Sequence, residues 1–124
     1  ALTDHGNLFG AVNFYKQCKK DGIKPIIGCE VYVAPRGRRD RGESGERKSA
    51  NHLLLLAETY EGYLNLCKLS SIGYLEGYYY KPRVDHEVLA KYSKGIIATS
   101  SCLKGEVPEA LVEGKPDRAR KVLD

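Results

Sequence analysis

The 124-residue sequence lacks a long apolar run, a strong charge imbalance, a Cys-x-x-Cys pair and an internal repeat. Because no apolar run is long enough to cross a bilayer, we expect no transmembrane helix, and the first residues do not have the pattern of a signal peptide. A net charge of +4, with acidic and basic residues interspersed, is too weak to indicate nucleic-acid binding by itself. These absences favour one globular domain, or a piece of one, without a membrane partner.

The cysteines are scattered along the chain, at Cys18, Cys29, Cys67 and Cys102. Scattered single thiols beside core residues favour a reducing, cytoplasmic setting over a disulfide framework. The two ends have the character of interrupted elements. Ala1-Leu2-Thr3 is typical of the last residues of a strand, and the helical residues after Pro116 reach Asp124 without a closing glycine. We therefore expect residues 1–124 to be part of a longer domain, truncated at both ends.

Apolar runs alternate with amphipathic stretches along the chain. The runs predict strands at 26–34, 51–57 and 96–100. Helices are predicted from an N-cap at Asn7 to about residue 22, over about 62–74, from a cap at Asp85 to residue 95, and over 107–113. Strands separated by helices predict an α/β fold with parallel strands. The charged, turn-rich residues 35–50, which include a basic run from Arg36 to Lys48, predict a solvated, flexible loop.

Four potential metal ligands lie within or just after such runs: His5, Glu30, His52 and Cys102. If the strands share a sheet, their ends meet at one rim, where α/β folds build active sites. Each residue also has a simpler interpretation. Glu30 interrupts an apolar strand and is expected equally to pair with an arginine or to bind a metal. His52 has the alternative of a hydrogen-bonded structural histidine, and Cys102 that of a small buried hydrophobe.

Asp4 precedes His5 and has two interpretations, since it can bind a metal or orient the imidazole, or cap the helix that follows. A second Asp-His pair, Asp85-His86, is better explained as a helix cap followed by an exposed histidine. A third group, Tyr78-Tyr79-Tyr80 with Lys81 and Arg83, has the composition of a base-stacking surface, although such clusters more often pack between a helix and a loop.

The sequence as a whole resembles the polymerase-and-histidinol-phosphatase (PHP) domain of bacterial DNA polymerase III alpha subunits. The resemblance begins with Thr3-Asp4-His5-Gly6 and covers nearly the whole chain apart from the charged loop, in segments 3–15, 22–34, 51–57, 62–66, 74–83 and 95–103. It implies part of a distorted, TIM-like β/α barrel that holds divalent metal ions at its rim. The implied ligands are His5, Glu30, His52 and Cys102, with Asp4 as a further ligand or as a neighbour that orients one. The family's His-x-His and Asp-x-His motifs are not in this sequence.

The chemistry implied by the resemblance is metal-dependent phosphodiester hydrolysis, as in 3′→5′ exonuclease proofreading. The mixed nitrogen, oxygen and sulfur ligands suit zinc, with manganese or iron as alternatives. The implied partners are DNA, reached through a parent polymerase whose polymerising site lies elsewhere, and other replisome subunits. Two alternatives remain: a non-catalytic support domain in the same polymerase, and a free-standing PHP phosphatase.

Overall fold

The computed structural model of the chain describes residues 1–42 and 50–123. Five strands and five helices follow one another in these ranges: β1 Leu2–His5, α1 Ala11–Lys20, β2 Ile27–Val33, β3 Asn51–Ala57, α2 Tyr60–Leu75, β4 Arg83–Val84, α3 His86–Lys91, β5 Ile96–Thr99, α4 Glu106–Val112 and α5 Pro116–Leu123. The predicted mixed α/β character is confirmed. Within the described ranges, none of the helices has the length and apolar character that a membrane crossing requires.

The strands form one mixed sheet in the order β1-β2-β3-β5, with β4 paired to β2. β1 and β4 are parallel to β2, whereas β3 is antiparallel to both of its neighbours, β2 and β5. The prediction that the strands at 26–34, 51–57 and 96–100 are all parallel is therefore wrong for the middle strand. Residues 35–50, between the first two of these strands, have the sequence of a charged loop, and a loop connection favours an antiparallel return over the crossover that parallel strands need.

The two faces of the sheet have different environments because neighbouring side chains of a strand point to opposite sides. Cys29, Val31 and Val33 of β2 face α2 and form the core with its buried residues Leu66 and Leu69. The intervening residues of β2 lie on the opposite face, which is the face of the candidate site. Because of this alternation, Glu30 points away from α2, toward the candidate site.

Two of the first three helices, α2 and α3, begin after a residue whose side chain caps them, whereas α1 begins after a glycine. α1 begins after Gly10 rather than after Asn7, whose side chain instead accepts a hydrogen bond from Phe9 N at 3.0 Å and makes a turn before the helix. α2 begins after Thr59, whose hydroxyl accepts from Gly62 N. The predicted cap at Asp85 is confirmed, since its carboxylate accepts from Val88 N at 3.2 Å.

The segment after β2 is tied to the rest of the domain by Arg38. Its guanidinium donates to Glu76 at 2.8 Å, to both oxygens of Asp85 at 3.0 and 3.1 Å, and to Glu87 at 2.9 Å. Only 9% of Arg38 is exposed, so the prediction of a solvated loop is wrong at this residue. Three carboxylates, at the end of α2 and the start of α3, compensate the burial of its charge. The flexibility predicted for 35–50 stays a prediction, and residues 43–49 lie outside the described part.

Candidate functional site

His5 and Glu30 meet because β1 and β2 are parallel neighbours with these two residues in register. His5 Nδ1 lies 3.0 Å from Glu30 Oε2. The imidazole is the outer member of the pair, since 74% of the His5 side chain is exposed against 15% of the Glu30 side chain. The carboxylate is therefore held inside the domain, with one histidine between it and solvent.

His52 reaches the same carboxylate from the other side of β2. It stands opposite Tyr32 in the antiparallel β2–β3 pair, diagonally across from Glu30. Its Nδ1 lies 2.6 Å from Glu30 Oε1. The antiparallel direction of β3 puts the amino end of this strand, and not its carboxyl end, beside the end of β1.

Cys102 completes the group from the turn between β5 and α4. Its Sγ lies 3.6 Å from His52 Nδ1. The turn is fixed against β3, since His52 N donates to Lys104 O at 2.9 Å and Gly105 N to Cys102 O at 2.8 Å. The structure thus brings all four candidate ligands into one chain of contacts, running from His5 through Glu30 and His52 to Cys102. Their convergence is confirmed, while their role as ligands stays a prediction.

Glu30 Oε1 is buried and has no hydrogen-bond partner among the described residues, although it lies within ion-pair distance of His52 Nδ1. The short contact lacks the alignment of a hydrogen bond, so the distance alone does not satisfy this oxygen. A buried carboxylate with one oxygen lacking a donor, in contact with two imidazoles of which one also contacts a thiol, suits a divalent cation. The residues therefore fit a metal ion. In the described ranges, however, no three His, Cys, Asp or Glu side chains are already arranged around a common cation position.

Asp4 lies on the opposite face of the sheet from this group, because neighbouring side chains of β1 point to opposite sides. It pairs with Cys29 in the register, on the helix-covered face, and its Oδ2 accepts a hydrogen bond from Gly10 N at 2.8 Å. Asp4 therefore holds the start of α1, which agrees with the capping interpretation, although the helix begins three residues later than predicted. It does not contact the imidazole of His5 from this side of the sheet.

Cys29 is adjacent to Glu30 in sequence but does not belong to the site. Burial raises the pKa of its thiol to about 12, and the nearby carboxylates of Asp4 and Glu30 add to this increase, although a backbone hydrogen bond from Gly6 opposes it. The thiol is therefore protonated near neutral pH and serves as a core residue. Cys102, which is exposed, presents its sulfur to His52.

Tyr32 and Lys81 lie next to the candidate ligands and were not predicted to do so. The buried Tyr32 ring meets the His52 ring edge-on at a centroid distance of 5.2 Å. Lys81 Nζ lies 4.4 Å from the centroid of the Tyr32 ring and donates to its hydroxyl at 3.3 Å. The only sequence signal was that Tyr32 shares the Glu30 face of β2. The position of Lys81 depends on the pairing of β4, which has two residues and no recognisable pattern.

The second Asp-His pair is structural, as predicted. Asp85 caps α3 and binds Arg38, while His86 is 63% exposed and lies 3.0 Å from Glu106. Within the tyrosine cluster, Arg83 lies over the Tyr79 ring at 5.1 Å, and the outer rings of Tyr78 and Tyr80 are more than half exposed. The cluster is thus partly packed and partly open.

The family model described as the PHP domain matches residues 1–124. The chain belongs to the PHP domain family. The resemblance predicted from the sequence is confirmed.

Curated relatives of this PHP domain are named DNA polymerase III subunit alpha. The chain is 55% identical to the protein of Chlamydia trachomatis over 123 residues, 56% to that of Deinococcus radiodurans over 127, and 49% to that of Thermus aquaticus over 125. These alignments cover 99%, 99% and 100% of the chain, but 10%, 9% and 10% of the relatives. The chain therefore spans about a tenth of the length of the curated relatives it matches.

Proposed function

We propose that this chain is part of the PHP domain of a bacterial DNA polymerase III alpha subunit and contributes ligands to a metal-dependent phosphodiesterase site. The reaction is 3′→5′ exonucleolytic hydrolysis of DNA, of the proofreading type. The observation that supports it best is the contact chain from His5 through Glu30 and His52 to Cys102, in which a buried carboxylate oxygen lacks a hydrogen-bond donor. The large majority of buried side-chain polar atoms have a hydrogen-bond partner, so this oxygen favours a metal-binding role over a purely structural ion pair.

Within this proposal, His5, Glu30, His52 and Cys102 hold divalent metal ions, with zinc favoured by the donor set and manganese or iron as alternatives. Bound divalent ions supply neutralisation of phosphate oxygens and activation of water. Glu30 lies between the two histidines and is the residue best placed to serve more than one ion. Its position in mid-strand, between paired neighbours, fixes the carboxylate before any ion binds.

The partners that follow from this proposal are DNA and the other subunits of a replisome, in the cytoplasm. The parent protein is then a DNA-directed DNA polymerase whose polymerising site lies outside this chain. The support is that the three relatives reported above, at about half identity, are all named as polymerase subunits.

The test is His52→Ala in the full-length protein that carries this chain. Release of nucleotides from a 3′ end, measured with manganese or zinc, is expected to fall at least about a hundredfold because a ligand is lost. Polymerisation is expected to be unchanged. His86→Ala is the matched control, since His86 also pairs with a glutamate but lies in the second Asp-His pair.

Hydrolysis must elute with the protein through purification, so that a contaminating nuclease is excluded. Parental hydrolysis by the His52→Ala protein would contradict the catalytic proposal. The second candidate, a non-catalytic support domain of the same polymerase, would then be preferred. It is favoured by one observation: no three potential ligands of the described residues are already arranged around a common cation position.

A further inference from the structure

Lys81 is held beside the candidate site by an aromatic ring. Its ammonium donates to the Tyr32 hydroxyl at 3.3 Å and lies over the same ring, whose edge contacts His52. The turn that carries Lys81 is fixed at this place, because a Cβ added at Gly6, directly after His5, would lie 2.8 Å from Pro82 Cγ and 3.1 Å from Tyr32 Cε2. One tyrosine ring therefore separates a lysine from the ligand group.

The charge of Lys81 is not neutralised by a carboxylate of the described residues. None of the ion pairs in ranges 1–42 and 50–123 includes it, although lysines elsewhere, such as Lys94 and Lys115, pair with glutamates. Lys81 is exposed, and a tyrosine hydroxyl and ring leave its positive charge in place. An exposed ammonium next to a proposed phosphodiesterase site attracts a phosphate.

The residues before Lys81 form a strained turn with partly exposed rings, in which Tyr78 stacks on Tyr74 and Tyr80 meets the Tyr79 ring edge-on. Tyr80 has a φ of +58°, which residues other than glycine rarely adopt. The turn is closed by Tyr79 N donating to Lys81 O at 3.1 Å, and Arg83 lies over the Tyr79 ring. Tyr78 and Tyr80 remain 52% and 63% exposed. Such strain persists where the surrounding structure holds it, and it is common at binding sites.

We propose that residues 78–81, the tyrosine turn, dock the 3′ end of single-stranded DNA, with Lys81 contacting a backbone phosphate and the exposed rings stacking on bases. This inference rests on the proposed function and adds the element that guides the substrate to the site. Exposed rings beside a cation favour an unpaired strand, because bases inside a duplex have no free face to stack on.

The experiment is photo-crosslinking of the full-length protein in EDTA to a short oligodeoxythymidylate that ends in 5-iodo-deoxyuridine at its 3′ end. Iodouracil reacts with neighbouring aromatic rings, and peptide mapping separates the product at residues 78–80 from products elsewhere in the protein. The half-saturating oligonucleotide concentration for this product is expected to rise roughly tenfold in Lys81→Met and to change little in Lys81→Arg. Lys68→Met is the matched control, because Lys68 also lies over a tyrosine, Tyr92, in another part of the domain.

Three results would overturn the inference: no crosslink at residues 78–80 in the parent protein, the same half-saturation in Lys81→Met, or equal crosslinking of a fully paired duplex. Because EDTA removes divalent ions, the result does not depend on hydrolysis. If the parent protein crosslinks as expected but does not hydrolyse DNA, the docking element is supported and the proposed function is rejected. If His52→Ala abolishes hydrolysis but Lys81→Met leaves crosslinking unchanged, the proposed function is retained and the docking element is rejected.

Discussion

At the scale of single residues, Glu30 decides between a structural and a metal-binding interpretation of the site. Its carboxylate is mostly buried, so the unmetallated protein bears a desolvation cost that a neutral amide would reduce. Glu30→Gln is therefore expected to melt at the same or a higher temperature than the parent in a chelator. With zinc or manganese added, the parent should gain more thermal stability than the variant, since ligand binding stabilises only the folded state that binds it.

The measurement is the thermal midpoint of the full-length protein with and without metal, together with bound metal after dialysis. Glu106→Gln is the control, because Glu106 also faces a histidine, His86, away from the site. An equal response of parent and Glu30→Gln to added metal would argue that Glu30 serves only as a partner of the histidines.

The candidate ligands could be predicted from the sequence for a simple reason. A carboxylate in one apolar strand and a histidine at the start of another conflict with their surroundings, and strand periodicity fixes the direction of each side chain. The same periodicity places Asp4 and His5 on opposite faces of the sheet. Lys81 gave no such conflict, since an exposed lysine in a turn is ordinary. Its approach to Tyr32 depends on tertiary packing that local patterns do not encode.

At the scale of elements, the positions of the main strands and helices were predictable but the direction of β3 was not. Strand direction depends on the connection before it. The charged stretch after β2 has no helical pattern, which favours a direct return over a crossover. β4 is too short to be recognised, and it pairs with β2 at Tyr32 and Val33, beyond the residues where β1 pairs.

The close contact between α2 and the turn before β5 gives a prediction about packing. A Cβ added at Gly62 would overlap the carbonyl group of Gly95. Gly62→Ala gains about 1 kcal/mol of helix propensity. The clash with the backbone outweighs this gain, so the net loss in free energy of unfolding is expected to be about 1–3 kcal/mol.

Chemical denaturation of the parent and of Gly62→Ala measures this loss. Ser71→Ala, at an exposed position of the same helix, is the control and should change stability little. A Gly62→Ala protein more stable than the parent would mean that the turn at Gly95 yields easily.

The Arg38 cluster joins the segment after β2 to α2 and α3, and it gives a pH dependence. Burial raises the pKa of Asp85, but hydrogen bonds from Arg38 N, Val88 N and the Arg38 guanidinium outweigh burial, so this pKa is lowered overall. A carboxylate with a lowered folded-state pKa contributes stability above its unfolded value of about 4, and the contribution is lost as the pH falls through the folded value.

Asp85→Asn keeps a helix-capping side chain but removes the charge opposite Arg38. We expect it to lose about 3 kcal/mol of stability at pH 7, and to show a smaller further loss than the parent below about pH 4. Denaturant unfolding across this pH range measures both effects. Glu113→Gln, at an exposed pair with Lys115 and Arg118, should follow the parent curve. Parallel curves for parent and Asp85→Asn would mean that another carboxylate causes the acid dependence.

At the scale of the whole molecule, β5 is the least covered strand of the sheet. It pairs with β3 along one edge, and within residues 1–42 and 50–123 no strand pairs with its other edge. Three of its four residues are exposed, including Ile97 at 48%. An exposed apolar strand with a free edge is a site where other chain segments pair. The β/α barrel proposed for the family has about eight strands, and the described residues supply five.

We therefore expect another part of the longer protein to cover β5 and continue the sheet toward a barrel. Hydrogen exchange compares the 124-residue chain with the full-length protein at the same pH and temperature. Amides of residues 96–99 should exchange more slowly in the full-length protein, because their outward groups gain partners. Residues 51–57 of β3 are the internal control, since this strand already has a neighbour on each edge. If β3 is equally protected in both proteins and β5 also exchanges equally in both, the sheet ends at β5 and a barrel cannot close across this edge.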